Sequence, residues 1–205
     1  MSGKDQTVNR TKILGVASSM RKNSASTKSL SECLSKAEQN GAETRMLNLL
    51  EIQLPIFSPD GNDSQALQKI TEDVKWADAF ILATPDYHGS MAGNMKNFLD
   101  YFWAEFAGKV FGYICASHEK GLTAMEQMRT AIRQCYGWSM PYGVSVHPEN
   151  DFDSVGKITS PELQKRTDIV ARDLTVYGQL IHKQFDSDLN GIIPNTFAAF
   201  YRGDN

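Results

Sequence analysis

Residues 79–84 read AFILAT, an unbroken apolar run followed by a proline-led loop over 85–92. Such a run, with no polar alternation, fits a strand covered on both faces, as in a parallel sheet between two helical layers. Outward from it, short apolar runs alternate with amphipathic stretches. Upstream, residues 12–18 (KILGVAS) predict a buried strand. Residues 24–39 predict a helix with Leu30, Cys33, Leu34 and Ala37 on one face, and 44–50 (TRMLNLL) a second strand. Residues 64–76 carry Leu67, Ile70 and Val74 at helical spacing. Downstream, the pattern predicts helices over 93–102, 122–136 and 161–183, and strands over 110–116 and 142–147. Five strands alternating with five helices make an open parallel sheet with helices on both faces. In such sheets ligands bind beyond the carboxyl ends of the strands.

Composition narrows the classes. The chain has 205 residues, 41% hydrophobic and 22% charged, which is ordinary for one globular domain. Formal charge is -3, which argues against nucleic acid or a membrane surface as a general partner. There is no apolar run of membrane-spanning length. Met1 to Asn9 is polar, so no signal peptide is expected. Three cysteines without a CxxC pair argue against a disulfide framework and make the cytoplasm the expected compartment. The expected organisation is a flexible tail over 1–10, a single domain over 11–184, and an extension over 185–205 that packs on the domain or on a partner subunit.

The loop after the first strand reads SSMRKNSAST over 18–27, with five hydroxyl residues and two cations opening a helix. Free N–H groups at a helix start, short hydroxyl donors and the fork of Arg21 are what a phosphate monoester needs. The loop is neither a Walker A sequence nor GxGxxG. The bland alternative is a polar loop with Ser24 or Ser26 as helix cap. The loop after the AFILAT run reads TPDYHGSMAGNMKNFLD over 84–100. Its proline and glycines can present main-chain groups to a flat heterocycle, with Tyr87 covering it.

Together the two loops resemble the NADPH-dependent FMN reductase family, a flavodoxin-like group of quinone, azo and chromate reductases. Ser19, Arg21 and Ser24 match the family's phosphate loop, with Ser18 in place of a glycine and Ser26 in place of an asparagine. Thr84, Pro85, Tyr87, Gly93, Lys96, Asn97 and Asp100 match its flavin-ring loop, with Asp86 for glutamate and His88 for asparagine. The resemblance implies a five-stranded flavodoxin-like sheet in the order 2-1-3-4-5. It implies FMN with its phosphate on Ser18, Ser19, Arg21, Ser24, Ser26 and Thr27, and its ring against Pro85, Asp86, Tyr87, His88 and Gly89. Ser117 and Gly121 fall where the family places a Ser/Gly-rich segment near the ring. NADPH or NADH would be the donor, and a quinone, azo compound, metal oxyanion or free flavin the acceptor, in a ping-pong sequence. A homodimer or homotetramer is also implied. The alternatives are a flavodoxin-like electron carrier and a non-catalytic flavin-binding sensor.

Other chemistry is excluded on spacing. Cys115 lacks the arginine six residues on that a small tyrosine phosphatase needs, since Gly121 stands there. His118-Glu119 is not completed to HExxH because Leu122 fills the last place, and there is no GxSxG. The four histidines show no metal spacing, and His147 and His182 read as ordinary surface or loop residues. No metal is expected. No catalytic acid or base is expected either, because the flavin would carry the chemistry. The aromatic run Phe98, Tyr101, Phe102, Trp103 and Phe106 reads equally as core or as a dimer face.

Overall fold

The computed structural model describes residues 10–52, 54–61 and 64–201. The expected tail over 1–10 therefore lies, Arg10 apart, outside the described residues. The elements are β1 (Lys12–Ala17), α1 (Ala25–Gln39), β2 (Glu43–Asn48), α2 (Gln65–Trp76), β3 (Ala79–Tyr87), β4 (Ser90–Met91), α3 (Gly93–Asp100), β5 (Val110–Ala116), α4 (Leu122–Gln134), β6 (Trp138–Ser139), β7 (Val144–Val146) and α5 (Pro161–Asn190). β2-β1-β3-β5 form the parallel body of the sheet. β6 and β7 pair with successive halves of β5, and β4 pairs antiparallel with β3.

Seven strands replace the five expected, yet the flavodoxin-like order holds. The fifth position is divided between β6 and β7, and β4 is the return arm of a hairpin. The third strand runs past the expected Thr84 to Tyr87. There His88 (φ 58°) and Gly89 (φ 75°) make a two-residue turn. Positive φ at both central positions is the turn that matches the twist of paired strands. The final helix continues beyond 183 to Asn190. α4 stops short of the expected 136 because Tyr136 adopts φ 59°.

Strand residues alternate between two cores. Ile13, Ala17, Ile81, Ala83 and Ile114 face α1 and α5, whereas Leu14, Val16, Phe80, Leu82, Phe111 and Tyr113 face the layer of α2, α3 and α4. Each such large side chain contributes roughly 1.5–3 kcal/mol of burial. Phe98, Phe102 and Phe106 are buried in the second core against Phe80 and Phe111, so most of the aromatic run is core. Trp103 is not, being 64% exposed. α1 lies close on β1 because Gly15 has no side chain: a Cβ there would sit 2.7 Å from Leu34 Cδ1. Ser24, Ser64 and Ser160 cap α1, α2 and α5, each accepting the N–H three residues on.

Candidate functional site

β1, β3, β5 and β7 all end at the same edge of the sheet, so the loops that leave them meet there. The first loop is shaped by α1. Ser24 Oγ accepts the Thr27 N–H at 3.2 Å and lies 3.2 Å from Ser26 Oγ and 2.8 Å from Thr27 Oγ1. The Lys28 N–H is met by the Ser24 carbonyl. That leaves the Ala25 and Ser26 N–H groups of the first turn without an intrahelical partner, beside three linked hydroxyls. The Arg21 N–H donates to Ser19 Oγ at 3.3 Å, folding the loop back toward the helix start. Ser18 is placed differently. Fully buried, it donates both its N–H and its hydroxyl to the Ala83 carbonyl, each at 3.0 Å. It thereby fastens β1 to β3 where the loop begins.

The second loop is the β3–β4 hairpin. Asp86 organises it: Oδ1 accepts the Gly89 N–H at 2.7 Å and Oδ2 accepts the Ser117 hydroxyl at 3.0 Å. Ser117 Oγ in turn accepts the Glu119 N–H at 3.0 Å, shaping the turn after β5. Thr84 Oγ1 accepts the Ala92 N–H at 2.9 Å, closing the hairpin at its base. From α4, Gln127 bonds both the Met91 N–H and Ser90 Oγ. Tyr87 projects at the rim, 50% exposed, its side chain with no hydrogen bond or ring partner among the described residues.

A cavity of about 180 Å³ is lined by Ser19, Arg21, Ser24 and Ser26 from the first loop, Pro85, Asp86 and Tyr87 from the second, and Ser117 from the third. Eight of the thirteen expected residues thus converge, although more than fifty residues separate the first two loops. Thr27 stays behind Ser24, and His88 and Gly89 form the hairpin tip. Gly121 is buried at the start of α4 with φ 60°, where a Cβ would lie 2.3 Å from Cys115 Sγ. Its lack of a side chain is what lets α4 begin so close to β5.

His118 and Pro148 also line this cavity, and His118 meets His147 edge-on at 5.3 Å between ring centroids. His147 is the loop residue expected, half-buried, its N–H held by Asp151 at 2.6 Å. Pro148 and His147 follow the last strand, so the rule that ligands sit beyond strand ends would have found them. A larger cavity of about 640 Å³ adjoins through Ser117 and His118 and reaches Arg129, Tyr142 and Arg166. Burial, with a smaller push from the Asp86 charge, drives the Cys115 thiol up to about 12, so it is no nucleophile here. No cluster of metal-ligating side chains occurs among the described residues, and no helix among them is long and apolar enough to cross a membrane.

Residues 11–151 match the profile of the family described as NADPH-dependent FMN reductase. An NAD(P)H-dependent FMN reductase of Pseudomonas aeruginosa is 28% identical over 168 residues, covering 72% of this chain and 84% of that protein. An NADPH azoreductase of Bacillus sp. (strain OY1-2) is 30% identical over 104 residues, 48% of this chain; the match spans only 58% of the azoreductase. Among solved structures, an NADH:FMN oxidoreductase in its apo form superposes with a TM-score of 0.68 at 16% identity, covering 82% of this chain and 89% of that one. The flavoenzyme NAD(P)H:(acceptor) oxidoreductase of Paracoccus denitrificans gives 0.68 at 19% identity, covering 84% and 98%. At these identities the superpositions show the fold alone.

Proposed function

The chain belongs to the NADPH-dependent FMN reductase family, and from that premise we propose that it binds FMN without a covalent bond and passes reducing equivalents from NADPH or NADH to a small acceptor. The observation that carries the reading is the convergence of the hydroxyl-rich loop, the hairpin and the Ser117 turn on one cavity.

The residues present fit the cofactor. Two first-turn N–H groups, the Ser19, Ser24 and Ser26 hydroxyls and the Arg21 guanidinium form a donor set suited to a doubly charged phosphate. Thr27 braces Ser24, and Ser18 holds the loop's origin. Tyr87 offers an unpaired face at the rim for a flat ring. Pro85, Asp86, His88 and Gly89 fix the hairpin against which that ring would lie, and Ser117 and Gly121 fix the turn on its other side. Bound FMN would supply the hydride chemistry. The chain's part is to orient: Arg21 anchors the charged end, and Asp86 keeps the two ring loops at a set spacing.

Donor and acceptor would use the adjoining 640 Å³ space in turn, a ping-pong order. The likeness to an NADPH azoreductase and to an NAD(P)H-dependent FMN reductase supports an azo compound or free flavin as acceptor, and quinones and metal oxyanions share the chemistry. Exposed Ile56 and Trp103 support self-association as a dimer or tetramer, which light scattering would test. Steady-state oxidation of NADPH and NADH with a small quinone tests the enzyme reading. Turnover with a yellow holoprotein is expected; a flavin-loaded protein that oxidises neither donor would point to a carrier or sensor instead.

A further inference from the structure

Beside the phosphate cradle lies a second cavity of about 500 Å³, whose walls include Arg21, Ser24, Lys28, Glu149, Phe152 and Gly156. It shares Arg21, Ser24, Ala25 and Pro148 with the smaller cavity, so the two adjoin. Lys28 sits one turn of α1 beyond Ser24, its Nζ 5.9 Å from the centre of the Phe152 ring. Neither Lys28 nor Arg21 has a carboxylate within ion-pair distance among the described residues. The loop over 148–157 runs close to Lys28: a Cβ at Gly156 would lie 2.1 Å from Nζ, and Gly156 itself adopts φ 84°, which favours glycine. Of the two carboxylates on the wall, Asp153 is occupied by the Val155 and Lys157 N–H groups at 3.0 and 2.8 Å. Glu149 is exposed and open to a ligand.

Two cations without counter-charges, an aromatic face and one open carboxylate form a particular set. A bare anion would have no use for the ring or the carboxylate, and a lipid tail would find a wall of charges. A nucleoside phosphate uses all of them: cations on phosphate, ring against the base, carboxylate on the ribose hydroxyls. We propose that this cavity takes an adenosine 5′-phosphate group lying next to the flavin phosphate, with Lys28 on the phosphate, Phe152 against adenine and Glu149 on the ribose. The inference rests on the phosphate-cradle reading for its neighbour. The same chemistry is carried by the AMP half of FAD, whose second phosphate directly follows the first, and by the adenosine end of a nicotinamide cofactor.

The test is calorimetric titration of 5′-AMP, FMN and FAD into the full chain and into Lys28→Ala and Phe152→Leu, with KM measured for NADPH and NADH. Phe152→Leu keeps an apolar side chain against the core and removes only the ring face; melting curves check folding of both. The expected result is AMP binding to the wild type, weakened about tenfold or more by Lys28→Ala, with FMN affinity unchanged within twofold. If FAD weakens with AMP, the flavin is the source. If KM for the nicotinamide cofactor rises at unchanged kcat, that cofactor is. The inference is overturned if the wild type takes no AMP, if neither variant alters AMP affinity, or if Lys28→Ala weakens FMN as much as AMP. AMP binding by a protein that refuses FMN would sink the flavin reading and leave this one standing.

Discussion

The Ser117 hydroxyl donates to Asp86 at 3.0 Å, joining the turn after β5 to the hairpin after β3. The other oxygen of the same carboxylate holds the Gly89 N–H. One side chain therefore sets both the shape of the hairpin and its distance from the neighbouring turn. We predict that Asp86→Ala raises the FMN dissociation constant at least several-fold and costs about 1–3 kcal/mol of stability, since two donors lose their acceptor. Flavin fluorescence titration and urea unfolding check it; full affinity in the variant would remove Asp86 from the account.

His88 sits at the hairpin tip at φ 58°, and histidine shares a tolerance for this left-handed backbone with asparagine, the residue the resemblance implies there. We predict that His88→Asn is neutral or stabilises by a few tenths of a kcal/mol, whereas His88→Val costs about 1–2 kcal/mol. Gly89→Ala, with open space around its Cβ but φ 75°, should cost about 1 kcal/mol. Equal melting temperatures for the asparagine and valine variants would contradict the turn geometry.

Gly121 makes the complementary case, where both backbone and space are tight. A Cβ would strike Cys115 Sγ at 2.3 Å on a backbone at φ 60°. We predict that Gly121→Ala destabilises by about 2–4 kcal/mol, from left-handed strain and overpacking together. The double variant Gly121→Ala with Cys115→Ala should recover part of that loss, and its failure to do so in thermal melts would count against the contact.

Alkaline unfolding follows from the buried thiols. Burial pushes both Cys33 and Cys115 from 9.0 to about 12. The unfolded chain releases these protons near pH 9 and the folded one does not. Each thiol's contribution is therefore intact below pH 9 and is lost as pH rises toward 12, at about 1.4 kcal/mol per pH unit. Lys109 acts in the opposite sense. Burial lowers it to about 8, so the folded state gains between pH 8 and 10.5. Stability should hold up to about pH 9–10 and fall above it. A Cys33→Ala, Cys115→Ala double variant should show a shallower alkaline slope; an unchanged slope would refute the assignment.

Much of this was legible in the sequence because each strand is a distinct apolar run and each site loop immediately follows one. AFILAT fixed the sheet's centre, and the serine-rich loop and the TPDYHG loop then had to end side by side. What was not legible depended on pairing at a distance. Ser90 and Met91 carry no strand signal of their own and become β4 only because His88 and Gly89 reverse the chain. Ser18 looks like a phosphate donor by position, but its hydroxyl is committed to the Ala83 carbonyl. Asn97, whose partners no local pattern reveals, bonds the Phe57 N–H and the Pro55 carbonyl and so fixes a loop forty residues away.

The most direct test of the central claim compares FMN with riboflavin in parallel fluorescence titrations of wild type and Arg21→Ala. If the loop after β1 grips the phosphate, FMN binds far more tightly than riboflavin. Arg21→Ala then closes that gap by about 1.5–3 kcal/mol while leaving riboflavin unaffected. Equal affinities for the two flavins in the wild type, or no binding of either, would contradict it.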